Sequence, residues 1–367
     1  MIKVMSVFGT RPEALKMIPL VFELGKAPGI QSKVCVTAQH RQLLDQMLVP
    51  FGIKPDYDLD IMAVGQTLTD VTARVLAGLA PILAAEKPDI LLVHGDTITT
   101  FAAALAAFFA QIPVGHVEAG LRSYDKYRPY PEEINRRMTT ALADIYFAPT
   151  EASRDNLLKE NIPAEKIIVT GNTIVDLIPY VIKENYCFSC EALNSLDFSK
   201  KIILLTAHRR ENWGQPMENI CRAIKRLVAD NPDISVVWPV HPGQAVKTPA
   251  EAILGGMDRV LLIDPVDVFD MYNLMKQSHL LLTDSGGLQE ESPSFNLPTI
   301  VLRDVTERPE GLTAGTLTLA GTEENAIYNE ATRLLTDKTA YNKMASAQNP
   351  FGDGKASQRI VNAILNL

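Results

Sequence analysis

Two α/β domains in tandem, each a doubly wound parallel sheet with helices on both faces, are what this sequence predicts. Three observations carry that expectation. The chain has 367 residues, about the length of two domains. Short β-rich runs alternate almost throughout with longer segments of helical periodicity, the pattern of βαβ units. A second series of strands then restarts at Lys200-Lys201-Ile202-Ile203-Leu204-Leu205-Thr206, which echoes the opening strand.

Taken in order, the strands expected in the first half are residues 3–8, 33–37, 89–94, 113–117, 145–148 and 166–170. Helical periodicity covers 12–26, 67–85 and 132–143 between them. The second half predicts strands at 201–206, 235–240, 259–263, 279–283 and 298–302, with helices at 217–230 and 287–295. A polar stretch, 172–199, separates the two series, so the boundary is placed near Gly171, giving domains of residues 1–170 and 171–354.

Composition narrows the function classes. Hydrophobic residues make up 47% of the chain, too many for a disordered protein. The net charge of −8 argues against a general nucleic-acid binder, while leaving room for a locally basic pocket. The longest apolar run is read at 101–109, short of the roughly 18 residues that span a bilayer, so no membrane association is expected. The opening Met-Ile-Lys-Val-Met-Ser-Val-Phe-Gly reads as strand and turn rather than secretory leader, and a cytoplasmic location is expected. Four cysteines make no disulfide framework: Cys35 and Cys221 are expected in cores, and Cys187 with Cys190 lacks the second ligand pair of a zinc site.

Ligands of open α/β sheets bind beyond the carboxyl ends of the strands, so functional residues are expected there. After the first strand comes Gly9-Thr10-Arg11-Pro12-Glu13, then Lys16. The turn opens a helix, whose free N–H groups suit an anion, and Arg11 and Lys16 add charge. A plain helix cap with solvated basic residues fits the segment equally well. Neither G-x-G-x-x-G nor G-x-x-x-x-G-K-[ST] is present, which removes the main support for a dinucleotide or P-loop site. His94-Gly95-Asp96-Thr97 and His116-Val117-Glu118 place carboxylates directly after apolar strands, where acids are rare unless paired or functional. Asp96 also reads as an N-cap, and Glu132, after Pro131, as an acid complementing a helix dipole.

In the second half, His208-Arg209-Arg210 follows the first strand and looks like an anion-handling corner. His241 follows the next and reads also as a structural hydrogen-bonder. Thr283-Asp284-Ser285-Gly286-Gly287 enters a helix as a backbone nest suited to a diphosphate, although Gly-Gly also marks ordinary turns. A charged loop, 303–310, follows the last strand of the series. A diphosphate ligand in a cleft between the domains accounts for all these signals together.

These residues resemble the non-hydrolysing UDP-N-acetylglucosamine 2-epimerases of bacteria. The likeness spans essentially the whole chain, through segments 8–16, 37–46, 94–100, 115–122, 131–136, 171–176, 206–212, 283–291, 306–310 and 349–354. It implies two Rossmann-like domains of the GT-B type with an interdomain cleft, and a C-terminal helix, 355–367, packing back on the first domain. It implies nucleotide and phosphate contacts at Arg11, Lys16, Ser285, Gly286, Gly287, Glu291 and Arg308, with Glu291 at the ribose. Catalytic groups fall on Asp96, Glu118, Glu132 and His208. Gln39, Gln42, Arg209 and His241 match a second site where some members bind UDP-N-acetylglucosamine as an activator. Departures stand at Met271, where many members have an aromatic residue near the uracil, and at Ile98, Arg128 and Phe295; Gly65 stands where regulated members may carry an arginine.

The implied reaction is reversible epimerisation of UDP-N-acetylglucosamine to UDP-N-acetylmannosamine at C2. UDP leaves C1 as a base removes the C2 hydrogen, and a glycal forms; UDP then adds back. No hydride moves, so neither cofactor nor metal is implied. The resemblance also implies a homodimer and a role in cell-surface polysaccharide synthesis. Two other readings stand beside it: a GT-B UDP-sugar glycosyltransferase, and a non-catalytic nucleotide-sugar sensor, which the presence of all three acids disfavours.

Overall fold

Burial on both faces demands nearly continuous apolar strands, and these strands have them. Ile90–His94 and Ile234–Pro239 are buried at every position. The computed structural model describes residues 1–39 and 41–367. They form two units, Met1–Leu177 with Gly352–Leu367, and Ile178–Phe351.

The first unit runs β1 (Ile2–Phe8), α1 (Arg11–Lys26), β2 (Ile30–Val36), α2 (Arg41–Leu48), β3 (Tyr57–Asp58), α3 (Leu68–Glu86), β4 (Ile90–His94), α4 (Ile98–Phe109), β5 (Val114–Val117), α5 (Glu132–Leu142), β6 (Ile145–Ala148), α6 (Glu151–Lys159), β7 (Ile167–Val169) and the start of α7 (Thr173–Val181). Its sheet has the order β3-β2-β1-β4-β5-β6-β7. All pairs are parallel, with Val4 opposite both Ser32 and Ile90. The order reverses between β1 and β4, the switch point at which such sheets open a crevice.

The second unit repeats the plan: α8 (Glu191–Asn194), β8 (Lys201–Thr206), α9 (Gln215–Asp230), β9 (Ile234–Pro239), α10 (Gln244–Leu254), β10 (Val260–Ile263), α11 (Val268–Gln277), β11 (Leu280–Thr283), α12 (Gly286–Glu291), β12 (Thr299–Val301), α13 (Pro309–Ala314), β13 (Leu317–Leu319), α14 (Glu324–Thr336) and α15 (Lys338–Ala345). Its parallel sheet has the order β10-β9-β8-β11-β12-β13, with the reversal between β8 and β11. Trp238 and Met217 are fully buried in its core.

Four differences from the sequence reading have physical causes. The edge strands β3 and β13 went unread, because they have two and three residues and pair on one side only. The helix expected at 287–295 stops at Glu291 and continues as a 3₁₀ turn, Ser292–Phe295, in which Pro293 supplies no N–H. The division between units falls within α7 and at Gly352, against Gly171 and residue 355 in the sequence reading. Asp176 of α7 accepts from the N–H groups of Ala356 (3.1 Å) and Ser357 (2.6 Å), which ties α16 (Ala356–Leu365) to the first unit, against α1. Lastly, the run at 101–109 is not the longest apolar segment. α3 has 19 residues and a mean hydropathy of 1.4, enough by length and composition to cross a bilayer. Val71, Val75, Leu79 and Leu83 turn one side of it into the core of the first unit.

Cys35 and Cys221 are buried as expected, and burial pushes both thiols up to about 12.

Candidate active site

The β1–α1 turn is shaped by a buried glutamate. Thr10 and Glu13 form a capping box at the start of α1. Glu13 Oε2 accepts from the N–H groups of Gly9 (3.1 Å) and Thr10 (2.8 Å). Its Oε1 accepts from the hydroxyls of Thr97 (2.8 Å) and Thr100 (3.2 Å), which open α4. Burial raises the Glu13 pKa, and the hydrogen bonds with Thr10, Thr97 and Gly9 oppose the rise. One side chain thus joins the turn carrying Arg11 to the turn carrying Asp96. Gly9 permits the approach, since a Cβ there would stand 1.9 Å from Thr37 Oγ1.

The three acids of the sequence reading share this strand edge. Asp96 follows β4 and pairs with Arg136 of α5 at 2.6 Å, while its carbonyl accepts from Asn135 Nδ2 at 2.9 Å. The first turn of α5, which carries Glu132, is therefore docked on the Asp96 loop. Glu132 Oε2 is buried and has no hydrogen-bond partner among the described residues. An orphaned buried carboxylate oxygen is costly, and such a group is a candidate for meeting a ligand. Glu118 follows β5 at a φ of 63°, a conformation uncommon outside glycine. It pairs with Lys16 and accepts from Asn172 Nδ2 at 2.8 Å, with His94 Nε2 at 3.8 Å. Lys16, read as a separate phosphate charge, is thus engaged with an acid. Beneath them, buried His116 donates from Nε2 to the Gly95 carbonyl at 2.7 Å, and burial holds its pKa down to about 4.

The second unit carries its polar groups at the β8/β11 switch point. Asp284, fully buried after β11, accepts at Oδ2 from the N–H groups of His208 and Arg209, both at 2.8 Å, and from Asn212 Nδ2 at 3.0 Å. The His208 ring is near-parallel to that of His241, 6.0 Å away. Partial burial lowers the His208 pKa; Arg209 and His241 add to this and Asp284 opposes it. His241 Nδ1 also accepts from the N–H of Gly243 at 3.0 Å.

Ser285-Gly286-Gly287 enters α12 as expected. A Cβ on Gly286 would stand 3.5 Å from Nη2 of Arg209 and 3.8 Å from Nη2 of Arg308. Two guanidinium groups therefore flank the bare backbone at the helix entrance, an arrangement suited to phosphate oxygens. Arg308 is held by buried Glu290, Nε to Oε1 at 2.5 Å. Arg209, which the resemblance gives to a second site, stands with Arg308 beside this nest. Glu291 lies beside the buried hydroxyl of Tyr272, whose ring meets Phe295 edge-on at 5.5 Å. Met271 is the neighbouring residue on α11. In the first unit, Gln39 Oε1 accepts from Thr99 at 3.2 Å, and Gln42 is exposed on α2.

Sequence reasoning gave no roles to Arg136, Asn172, Asp284 and Glu290. Asp284 and Glu290 sat inside motifs that drew notice for their glycines. Arg136 and Asn172 act on acids 40 and 54 residues away in sequence, 136 − 96 and 172 − 118, which no local pattern records.

Two doubly wound sheets, one with carboxylates and one with an anion nest at the switch point, define a two-Rossmann-domain enzyme of the GT-B type. The sequence profile of the UDP-N-acetylglucosamine 2-epimerase family matches residues 23–365, and the chain belongs to that family. The UDP-N-acetylglucosamine 2-epimerase of Bacillus subtilis is 57% identical over 364 residues, covering 99% of this chain and 95% of its own. The crystal structure of the Neisseria meningitidis UDP-GlcNAc 2-epimerase bound to UDP-GlcNAc superposes with a TM-score of 0.89 at 48% identity, covering 100% of both chains. The S. aureus MnaA–UDP co-structure gives a TM-score of 0.89 at 50% identity, covering 100% of this chain and 98% of that one.

Proposed function

We propose that this protein interconverts UDP-N-acetylglucosamine and UDP-N-acetylmannosamine by elimination and re-addition of UDP. The observation that carries the reading is the pairing of chemistries: three carboxylates on one strand edge of the first unit, and two guanidiniums at the α12 entrance of the second. The C2 hydrogen is not activated by a carbonyl. A base takes it as a proton while the C1–O bond breaks, and the bonding electrons leave with UDP. Asp96, Glu118 and Glu132 supply the acid–base groups for the two faces of C2. Arg209, Arg308, Arg11 and the Ser285-Gly286-Gly287 backbone stabilise the departing diphosphate, with His208 beside them. Lys16 acts through Glu118, Glu291 holds the ribose, and Met271 neighbours the uracil. The proton returned to C2 and the UDP returned to C1 leave no net oxidation, so neither a hydride carrier nor a metal is required.

The enzyme works in the cytoplasm, in the supply of cell-surface polysaccharide precursors. Gln39, Gln42, Arg209 and His241 provide for an activating second nucleotide sugar. It is a homodimer, and α3, α4 and α5, neighbours in the first unit, support this. α4 carries no charge, and Phe108 (58% exposed), Phe109 (69%) and Met138 (43%) stand on the outer surface. Such apolar faces mark association sites. Light scattering should report a dimer, and Phe108→Glu with Phe109→Glu a monomer; a monomeric wild type at micromolar concentration refutes the assembly.

Proton NMR of UDP-N-acetylglucosamine with the enzyme in heavy water tests the reaction. Deuterium should enter C2 as UDP-N-acetylmannosamine appears. A glycosyltransferase or a sensor has no reason to exchange that hydrogen, so an unlabelled C2 refutes the proposal.

A further inference from the structure

We propose that Asp284 is the positioning residue of His208, holding its ring as the Nδ1–H tautomer so that Nε2 carries the proton that meets the departing diphosphate and takes it back when UDP returns. The proposal rests on the reading that His208 takes part in the reaction. Oδ2 of Asp284 is saturated by three donors: the N–H groups of His208 and Arg209 and the amide of Asn212. Oδ1 is equally buried and makes no well-aligned hydrogen bond among the described residues. It lies 3.2 Å from His208 Nδ1. A buried carboxylate oxygen left without a donor is costly, and Nδ1–H is the donor within reach. The neutral ring therefore keeps its proton on Nδ1, which leaves Nε2 as the exchangeable nitrogen. The His208 side chain is 43% exposed while that of Asp284 is 0% exposed, so the fixed end of the pair faces inward and the working end outward. Arg209 and His241 are the other charged or titratable groups acting on the ring. Both disfavour imidazolium, and Asp284 alone among them favours it.

Asp284→Asn separates this role from mere scaffolding. Its amide oxygen at the Oδ2 position keeps all three N–H bonds, while its NH₂ at the Oδ1 position donates toward Nδ1. The clamp survives and the tautomer inverts. In ¹⁵N-labelled protein, neutral wild-type His208 should be protonated at Nδ1 and the variant at Nε2. The His208 titration midpoint should fall in the variant, because the group that raised it is gone. The variant's kcat should drop about 10²-fold or more, with UDP affinity within about threefold of wild type, less than one lost charge-assisted hydrogen bond would remove. Asn212→Ala, which removes one bond to Oδ2 and one to the Leu302 carbonyl and leaves Oδ1 alone, should lower Tm without changing the tautomer. Wild type measured alone keeps the proposal falsifiable should Asp284→Asn not fold: an Nε2–H tautomer in the neutral wild-type ring overturns it. So does a folded Asp284→Asn enzyme with kcat within about threefold of wild type, too small a change for a misplaced general acid or base. Unchanged kcat in His208→Ala overturns the catalytic half, and the NMR result then stands separately.

Discussion

Arg209→Ala and Arg308→Ala remove the two guanidiniums that flank Gly286, and the structure gives them different consequences. If the two guanidiniums hold the diphosphate as proposed, each variant loses a charge-assisted hydrogen bond worth about 1.5–3 kcal/mol. That corresponds to a Kd for UDP weakened about 10- to 150-fold. Arg308→Ala does something more. Its Nε stands 2.5 Å from Glu290 Oε1, and the Glu290 side chain is 3% exposed. Breaking a buried pair from one side costs about 3–5 kcal/mol, because the remaining buried charge loses part of its compensation. Arg308→Ala should therefore lose both UDP affinity and several degrees of Tm, while Arg209→Ala loses affinity with Tm nearly kept. Adding Glu290→Gln to Arg308→Ala should restore much of the Tm and none of the affinity. Titration calorimetry with UDP and thermal denaturation on the same samples read both effects. Wild-type UDP affinity in folded Arg209→Ala would refute the placement of Arg209 in the diphosphate nest and return it to the activator site alone.

Asp96→Asn, Glu118→Gln and Glu132→Gln should each lower kcat at least roughly a hundredfold while UDP still binds. Glu118→Gln should also lower Tm, since it disturbs Lys16 and Asn172, whereas Glu132→Gln should not, because Glu132 Oε2 has no hydrogen-bond partner among the described residues. Turnover within about threefold of wild type in all three would remove the acid–base assignment. His116 is held at about 4, below its unfolded value of 6.5, so the unfolded chain binds the extra proton and stability falls as pH drops from 6.5 toward 4. The full loss is about 3 kcal/mol, His279 adds to the same limb, and urea denaturation at several pH values should show a shallower limb in His116→Asn; an identical slope would mean that His116 carries no such burden. Gly9→Ala puts a methyl 1.9 Å from Thr37 Oγ1, and should cost about 1–3 kcal/mol by overpacking, read from the same denaturation curves.

The strands were legible because their residues must be apolar on both faces, and runs such as Ile90–His94 satisfy that without knowledge of any neighbour. Glycines at the strand ends and caps such as Thr10 with Glu13 are equally local, so the turns carrying Arg11, Asp96, His208 and Ser285 could be placed from sequence. The edge strands β3 and β13 were not legible, since their order comes from pairing with β2 and β12 rather than from their own composition. The same holds for the partners of the acids. Arg136 meets Asp96, and Asn172 meets Glu118, because parallel strands bring distant strand ends to one edge. The sequence by itself determined the two-sheet architecture and which residues stand at its carboxyl ends. Only the tertiary structure decided that Lys16 pairs with an acid, that Arg209 joins Arg308 over Gly286, and that Asp284 accepts from the N–H groups of His208 and Arg209. Those outcomes depend on distances between side chains far apart in the chain, which packing sets and no local periodicity encodes.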